Sequence, residues 1–156
     1  MLIHSYDYKE IEVVKSVKQN LKTHLEFYYH LNRHISAKAK ILHLANDYGQ
    51  LDVLLALQEP QRKIDSYISD QEKRDVAKTN YIAKKRKISY PDQLESAVES
   101  QYDVILISDE DFDHFSKITN ASSVILMGSY RLKNTITDSG FECILEENNI
   151  IILKKN

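Results

Sequence analysis

Apolar residues recur along this chain with two different periods. From about Tyr8 to Ile35 they fall at three- and four-residue steps (Ile11, Val14, Val17, Leu21, Leu25, Tyr28, Leu31, Ile35), with Lys15, Lys18, Gln19, Lys22 and Asn32 on the other face. That spacing predicts one long amphipathic helix, or two with a break. Beyond it the pattern changes. Ile41 to Leu44 is a short apolar run, Asn46-Asp47 interrupts it, and Leu51, Leu54 and Leu55 resume at helical spacing. Strand, turn and helix in that order open an α/β sheet, and in such a sheet a ligand sits at the turn beyond the strand's carboxyl end.

The alternation continues. A helix over about 50–58 ends before Glu59-Pro60, because the residue preceding proline is pushed out of the α region. Lys63 to Ile68 predicts a second strand, and Ser69 with Glu72 three residues on reads as a capping box for a helix from Asp70 to about Ala83. Lys84-Lys-Arg-Lys87 then sits at a helix end, where cations face the dipole favourably. A short third strand over Lys87–Tyr90 and a short helix from Pro91 to Val98 follow. Tyr102 to Ser108 is the clearest buried strand, and Ser123 to Met127 is another. A helix from about Tyr130 to Ser139 stops at Gly140. Phe141–Glu146 and Ile150–Lys154, joined by a short turn, must be antiparallel neighbours.

Composition narrows the class. The length of 156 residues predicts a single domain, with residues 1–37 as a helical segment and 38–156 as the α/β core. A formal charge of −2 supplies no global field for nucleic acid or anionic membrane, so no nucleic-acid partner is expected. No apolar run is long enough to span a bilayer. The first residues lack a basic and an apolar region of signal type, and Cys143 is the single cysteine, so a cytoplasmic location is expected. Cys143 lies inside an apolar strand and reads as core.

The words of the core resemble a known family. Ile41-Leu-His-Leu-Ala-Asn-Asp-Tyr-Gly-Gln-Leu51 looks like the glycine-rich loop of the class I S-adenosylmethionine-dependent methyltransferases, which reads roughly I-L-D-L-G-C-G-Y-G-x-L. Arg62 to Lys73 looks like that family's second strand and following helix, Tyr102 to Asp109 like its fourth strand, and Ser139 to Leu153 like its closing hairpin. The likeness runs from residue 38 onward, with the first helix as an N-terminal lid. It looks closest to methyltransferase modules that accompany bacterial lysophospholipid acyltransferases. The resemblance implies a Rossmann-like α/β fold: a mostly parallel twisted sheet, a C-terminal antiparallel hairpin, and helices on both faces.

It also implies a set of cofactor-binding positions, here His43, Ala45, Asp47, Gly49, Ile68, Asp70, Tyr90 and Ser108, with Asp109 as the position that carries catalysis in an active member. Several depart from the pattern. Ala45 and Asp47 stand where glycines let the backbone approach the cofactor, and only Gly49 remains. His43 replaces the aspartate that organises the loop. Asp47 would face the donor's carboxylate with like charge. Ile68 falls where an acid accepts the ribose hydroxyls, Asp70 aligns with the acid opening the next helix, and Phe112 stands near the place of an expected histidine. Losing two ribose bonds and adding that repulsion weakens a micromolar cofactor by roughly three orders of magnitude, at about 1.4 kcal/mol per tenfold. The expected function is therefore a degenerate methyltransferase fold without cofactor or catalysis, acting as a binding or scaffold module. The alternative is an active S-adenosylmethionine-dependent methyltransferase using Gly49, Asp70 and Asp109.

Other chemistry is weaker. His30 and His34 lie one turn apart, but two histidines are half a zinc site and no glutamate follows His30, so the pair reads as packing or solvent edge and no metal is expected. Asp109, Asp111 and Asp113 have calcium-loop spacing, yet His114 and Asn120 stand where that loop needs glycine and glutamate. Gly128-Ser129 lacks the pattern of a hydrolase elbow. A receiver domain would need paired aspartates after the first strand and has only Asn46-Asp47. Ten tyrosines supply possible anchors for a protein partner or self-association, and Tyr48, Tyr67 and Tyr90, beside successive strand ends, are expected to fill the vacated cleft.

Overall fold

The computed structural model describes residues 29–98, 100–109, 112, 121–127, 131–147 and 149–156. Most of the expected first helix (8–28), the acidic positions Asp111 and Asp113 with His114 and Asn120, Gly128-Ser129 and the helix start at Tyr130 lie outside them. A helical segment over 29–33 opens the described chain. Then come β1 (Lys40–Ala45), α1 (Gln50–Gln58), β2 (Lys63–Ile68), α2 (Gln71–Lys78), α3 (Tyr81–Lys85), α4 (Leu94–Val98), β3 (Tyr102–Ile107), β4 (Ala121–Met127), α5 (Lys133–Asp138), β5 (Phe141–Glu147) and β6 (Ile150–Lys155).

The strands form one six-stranded sheet in the order β2-β1-β3-β4-β6-β5. Pairs β2-β1, β1-β3 and β3-β4 are parallel, whereas β6 runs antiparallel to both neighbours. The Rossmann-like architecture with a terminal hairpin is thus as the sequence implies. Leu42, Leu44, Ile105, Val124, Leu126, Ile151 and Leu153 bury one face against α4 and α5. Ile41, Leu106, Ile125, Ile150 and Ile152 bury the other against Leu31, Ile35 and the α1 residues Leu51 and Leu55. Alternate residues of the central strands go to opposite faces, which is why those strands read as continuous apolar runs.

Four expectations need correction. The third strand over 87–90 is a single parallel bridge, Asp65 to Ser89, beside β2. Lys87 has φ 59°, so the chain is not extended as it enters, and Pro91 lacks the donor needed to continue. The helix expected over 70–83 breaks into α2 and α3: the Thr79 hydroxyl bonds back to the Val76 carbonyl, and Asn80 caps a new helix by accepting the Ala83 N–H. The cap of α2 is Asp70, which accepts the Lys73 N–H, and not Ser69. The helix expected from Tyr130 begins, among described residues, at Lys133.

The hairpin holds a feature that alternation alone does not reveal. Cys143 pairs with Leu153 and Leu145 with Ile152, so Ile144 is an extra, bulged residue. Phe141 and Cys143 pack on the face covered by α5, whereas Leu145 packs on the opposite face. The bulge reverses the parity of everything after it.

Candidate functional site at the carboxyl edge of the sheet

The β1–α1 turn lies at the carboxyl ends of the parallel strands, where the fold places ligands. Its amides are engaged by its own side chains. Gln50 Oε1 accepts the Tyr48 N–H at 2.8 Å, and Asp47 Oδ1 accepts the Gly49 N–H at 2.9 Å. Gly49 sits at φ 82°, and a Cβ there would lie 2.5 Å from the Tyr90 hydroxyl and 3.2 Å from Ala77 Cβ. Only glycine fits this conformation so close to a tyrosine. Lys73 spans the turn from outside, donating to the Asn46 carbonyl and lying 5.7 Å from the centre of the Tyr48 ring.

Behind the turn runs a buried polar chain. His43 Nδ1 lies 2.6 Å from Asp52 Oδ1 on α1, and His43 Nε2 lies 2.5 Å from Ser108 Oγ just past β3. His43 and Asp52 have no exposed surface. Desolvation pulls the His43 pKa down, but the Asp52 charge and hydrogen bond, with Asp47 beyond, outweigh it and raise it above 6.5. Tyr90 is buried, its hydroxyl making no hydrogen bond of good geometry among described residues; burial, then the charges of Asp52 and Asp47 and the nearby Asp52 carboxylate as acceptor, push its pKa up. Asp47 keeps some exposed surface as a residue while its carboxyl is surrounded by protein. Burial raises its pKa above 3.8 and Asp52 adds to this, against His43, the Gly49 N–H and Lys73.

The rim is closed by side chains as well. The Ser69 hydroxyl donates to Asp109 Oδ2 at 3.2 Å, linking the chain after β2 to the chain after β3 across the end of β1. The amides of Ser108 and Asp109 both donate to the Leu44 carbonyl. Arg74 donates to the Ile68 carbonyl at 2.9 Å. Ala45 and Ile68 are fully buried, so neither lines an open wall.

The structure therefore brings His43, Asp47, Gly49, Tyr90 and Ser108 into one cluster. Asp70 stands apart on the surface as a helix cap, and Asp109 faces Ser69. Of the three tyrosines expected in the cleft, Tyr90 abuts the turn; Tyr48 packs under Lys73, and Tyr67 packs against the face covered by α4 and α5. Sequence reading missed Asp52. Its place one turn before Ala56, on the buried side of α1, was the available signal.

Ser108, His43 and Asp52 share the connectivity of a serine-hydrolase relay. Among the described residues the rest of that machinery is absent at Ser108: its own amide and the next are taken by Leu44, and the imidazole is fully buried and biased toward its charged form. A base must be free to accept the nucleophile's proton. The trio is a structural network tying β1, α1 and β3 together. A depression of about 330 Å³ lined by Gln101, Tyr102, Ala121, Ser122, Lys155 and Asn156 lies at the amino edge, the end opposite the turn.

Comparison of the whole fold with solved structures gives consistent neighbours. The B. subtilis m1A22 tRNA methyltransferase TrmK superposes with a TM-score of 0.61 at 15% identity, covering 83% of this chain and 65% of that one. Streptococcus pneumoniae Sp1610, a putative tRNA (m1A22) methyltransferase in complex with S-adenosyl-L-methionine, gives 0.64 at 18%, covering 84% and 72%. The fold is that of S-adenosylmethionine-dependent methyltransferases. M. capricolum TrmK, solved with S-adenosyl-homocysteine, gives 0.58 at 13%, covering 83% and 67%. This chain spans about two thirds of the length of the two TrmK chains. No family model matches the sequence, and no curated protein matches it. At these identities the likeness is one of fold.

Proposed function

We propose that this methyltransferase-fold chain does not take up S-adenosylmethionine and acts as a binding or scaffolding module. One observation carries the reading. The Tyr48 and Gly49 amides, donors that a ligand-binding turn would leave free for its ligand, are occupied by Gln50 and Asp47. The remaining residues do not fit the cofactor either. Asp47 adds negative charge where a carboxylate would lie, Ile68 offers a ribose no acceptor, and the Ser69–Asp109 bond crosses the end of β1. No methyl-transfer step is assigned to this site.

A protein partner or self-association, in the cytoplasm and without nucleic acid, follows from this reading. Tyr29 and Tyr81, 65% and 75% exposed, are available anchors, and the resemblance to modules that accompany lysophospholipid acyltransferases supports a partner-bound role.

The second reading is an active S-adenosylmethionine-dependent methyltransferase using Gly49, Asp70 and Asp109. It is favoured by the donor and its product bound in two structures of the same fold. Thermal melting of the chain with S-adenosylmethionine or S-adenosylhomocysteine separates the two. No shift is expected at millimolar ligand, and a saturable rise in melting temperature would overturn the proposal.

A further inference from the structure

We propose that His30, His34 and Glu147 form a binding site for a first-row divalent transition ion, with zinc as the reference occupant. One ligand atom from each lies within 4.8 Å of those of the other two. His30 and His34 are one helical turn apart, and their rings meet edge to face with centroids 4.9 Å apart. Glu147 arrives from the end of β5, more than a hundred residues later in the chain.

The His30 Nε2 atom is the decisive one. It is buried and lies 3.1 Å from Glu147 Oε1, yet it has no hydrogen-bond partner of acceptable geometry among described residues. A buried polar atom left this way calls for an explanation. Donors about 2.0–2.2 Å from a tetrahedral ion stand roughly 3.3–3.6 Å from each other, so His30 and Glu147 are already near the spacing of two ligands on one metal. His34 supplies the third donor, within 4.8 Å of the other two. Two imidazoles and a carboxylate suit zinc and its neighbours, and three protein ligands leave a fourth position for water. Arg33, beside His34, is the charge that opposes the ion.

The bulge at Ile144 explains why Glu147 is there. Counted straight along β5, Glu147 would share the face of Phe141 and Cys143. The extra residue moves it to the face of Leu145, where Leu31 and Ile35 pack. A bound ion would join the 29–33 helix to the terminal hairpin. Glu147 stands on β5, four strands from β1 in the sheet, and none of the three ligands belongs to the cofactor turn.

The test uses the whole chain, stripped with chelator and titrated with zinc by calorimetry and with cobalt(II) by visible absorption. One ion per chain is expected, with a dissociation constant on the order of 1 µM or tighter and the intense bands of a four-coordinate cobalt site. His34→Ala and Glu147→Gln alter exposed side chains, so both variants should fold with an unchanged metal-free melting temperature. Each should weaken zinc at least about tenfold and abolish the cobalt bands. Absence of saturable binding, or binding that both variants retain, would overturn the proposal.

Discussion

At the scale of single residues, the Asp47 carboxyl is held among protein atoms with Asp52 nearby, and its folded-state pKa lies above 3.8. The folded chain therefore binds that proton more tightly than the unfolded chain does, and the ionised group burdens the fold at pH 7. The burden disappears as pH falls below about 3.8, where both states are protonated. Asp47→Asn keeps an oxygen for the Gly49 amide and removes the charge. A higher melting temperature than the parent is expected at pH 7, and no difference at pH 3. His43 has the same sign from the opposite charge type. Its raised pKa contributes stability that is full below 6.5 and is lost as pH rises through the folded value. Asp52→Ala removes the partner and strands a buried imidazole, at a cost of about 3–5 kcal/mol in urea denaturation, and it should flatten that pH dependence. The substitutions at Ala45, Asp47 and Ile68 were legible in the sequence because a family pattern marks where glycine and acid belong. The Asp52 partner was not, because the eight residues between it and His43 include the 46–49 turn, whose path no periodicity specifies.

Whole elements were read well where a side-chain period was sustained. α1 and β2 match their expected bounds, since an i, i+4 stripe fixes the helix and an alternating period the strand. Boundaries failed where short polar side chains compete with the backbone, as Thr79 and Asn80 do between α2 and α3. The most consequential link between elements is also polar. Arg62, buried at the start of β2, donates to the carbonyls of Asn32, Ile35, Ser36 and Leu55 and to the Asn32 side chain. Burial pulls its pKa down, with Glu59 opposing. These bonds pin the 29–36 segment to the sheet. Arg62→Met removes all five; the Ile35 carbonyl loses its donor, whereas those of Asn32, Ser36 and Leu55 keep backbone amide partners, so a loss of about 2–3 kcal/mol is expected. Hydrogen exchange should show protection lost first over 29–39, while β1 and β3 keep theirs until global unfolding.

At the scale of the molecule, a mostly parallel sheet closed by an antiparallel hairpin was legible in the alternation of runs and the short final turn, whereas the order of its strands was not. Crossings between distant segments were not: Ser69 to Asp109 and His30 to Glu147 depend on tertiary placement. A ligand at a hundred times its dissociation constant adds about 2.7 kcal/mol to a fold that binds it, a shift readily seen in a chain this size. Calorimetric melting with S-adenosylhomocysteine is expected to show none of it. The bulge at Ile144 has one more effect. Among the described residues β5 is one of the two outermost strands of the sheet, and an outermost strand is an open invitation to lateral growth by further copies. The kink interrupts its ladder midway, and Glu142, Glu146 and Glu147 surround the exposed Ile144 with negative charge. The same irregularity that steers Glu147 toward two imidazoles thus guards the chain against fibril formation.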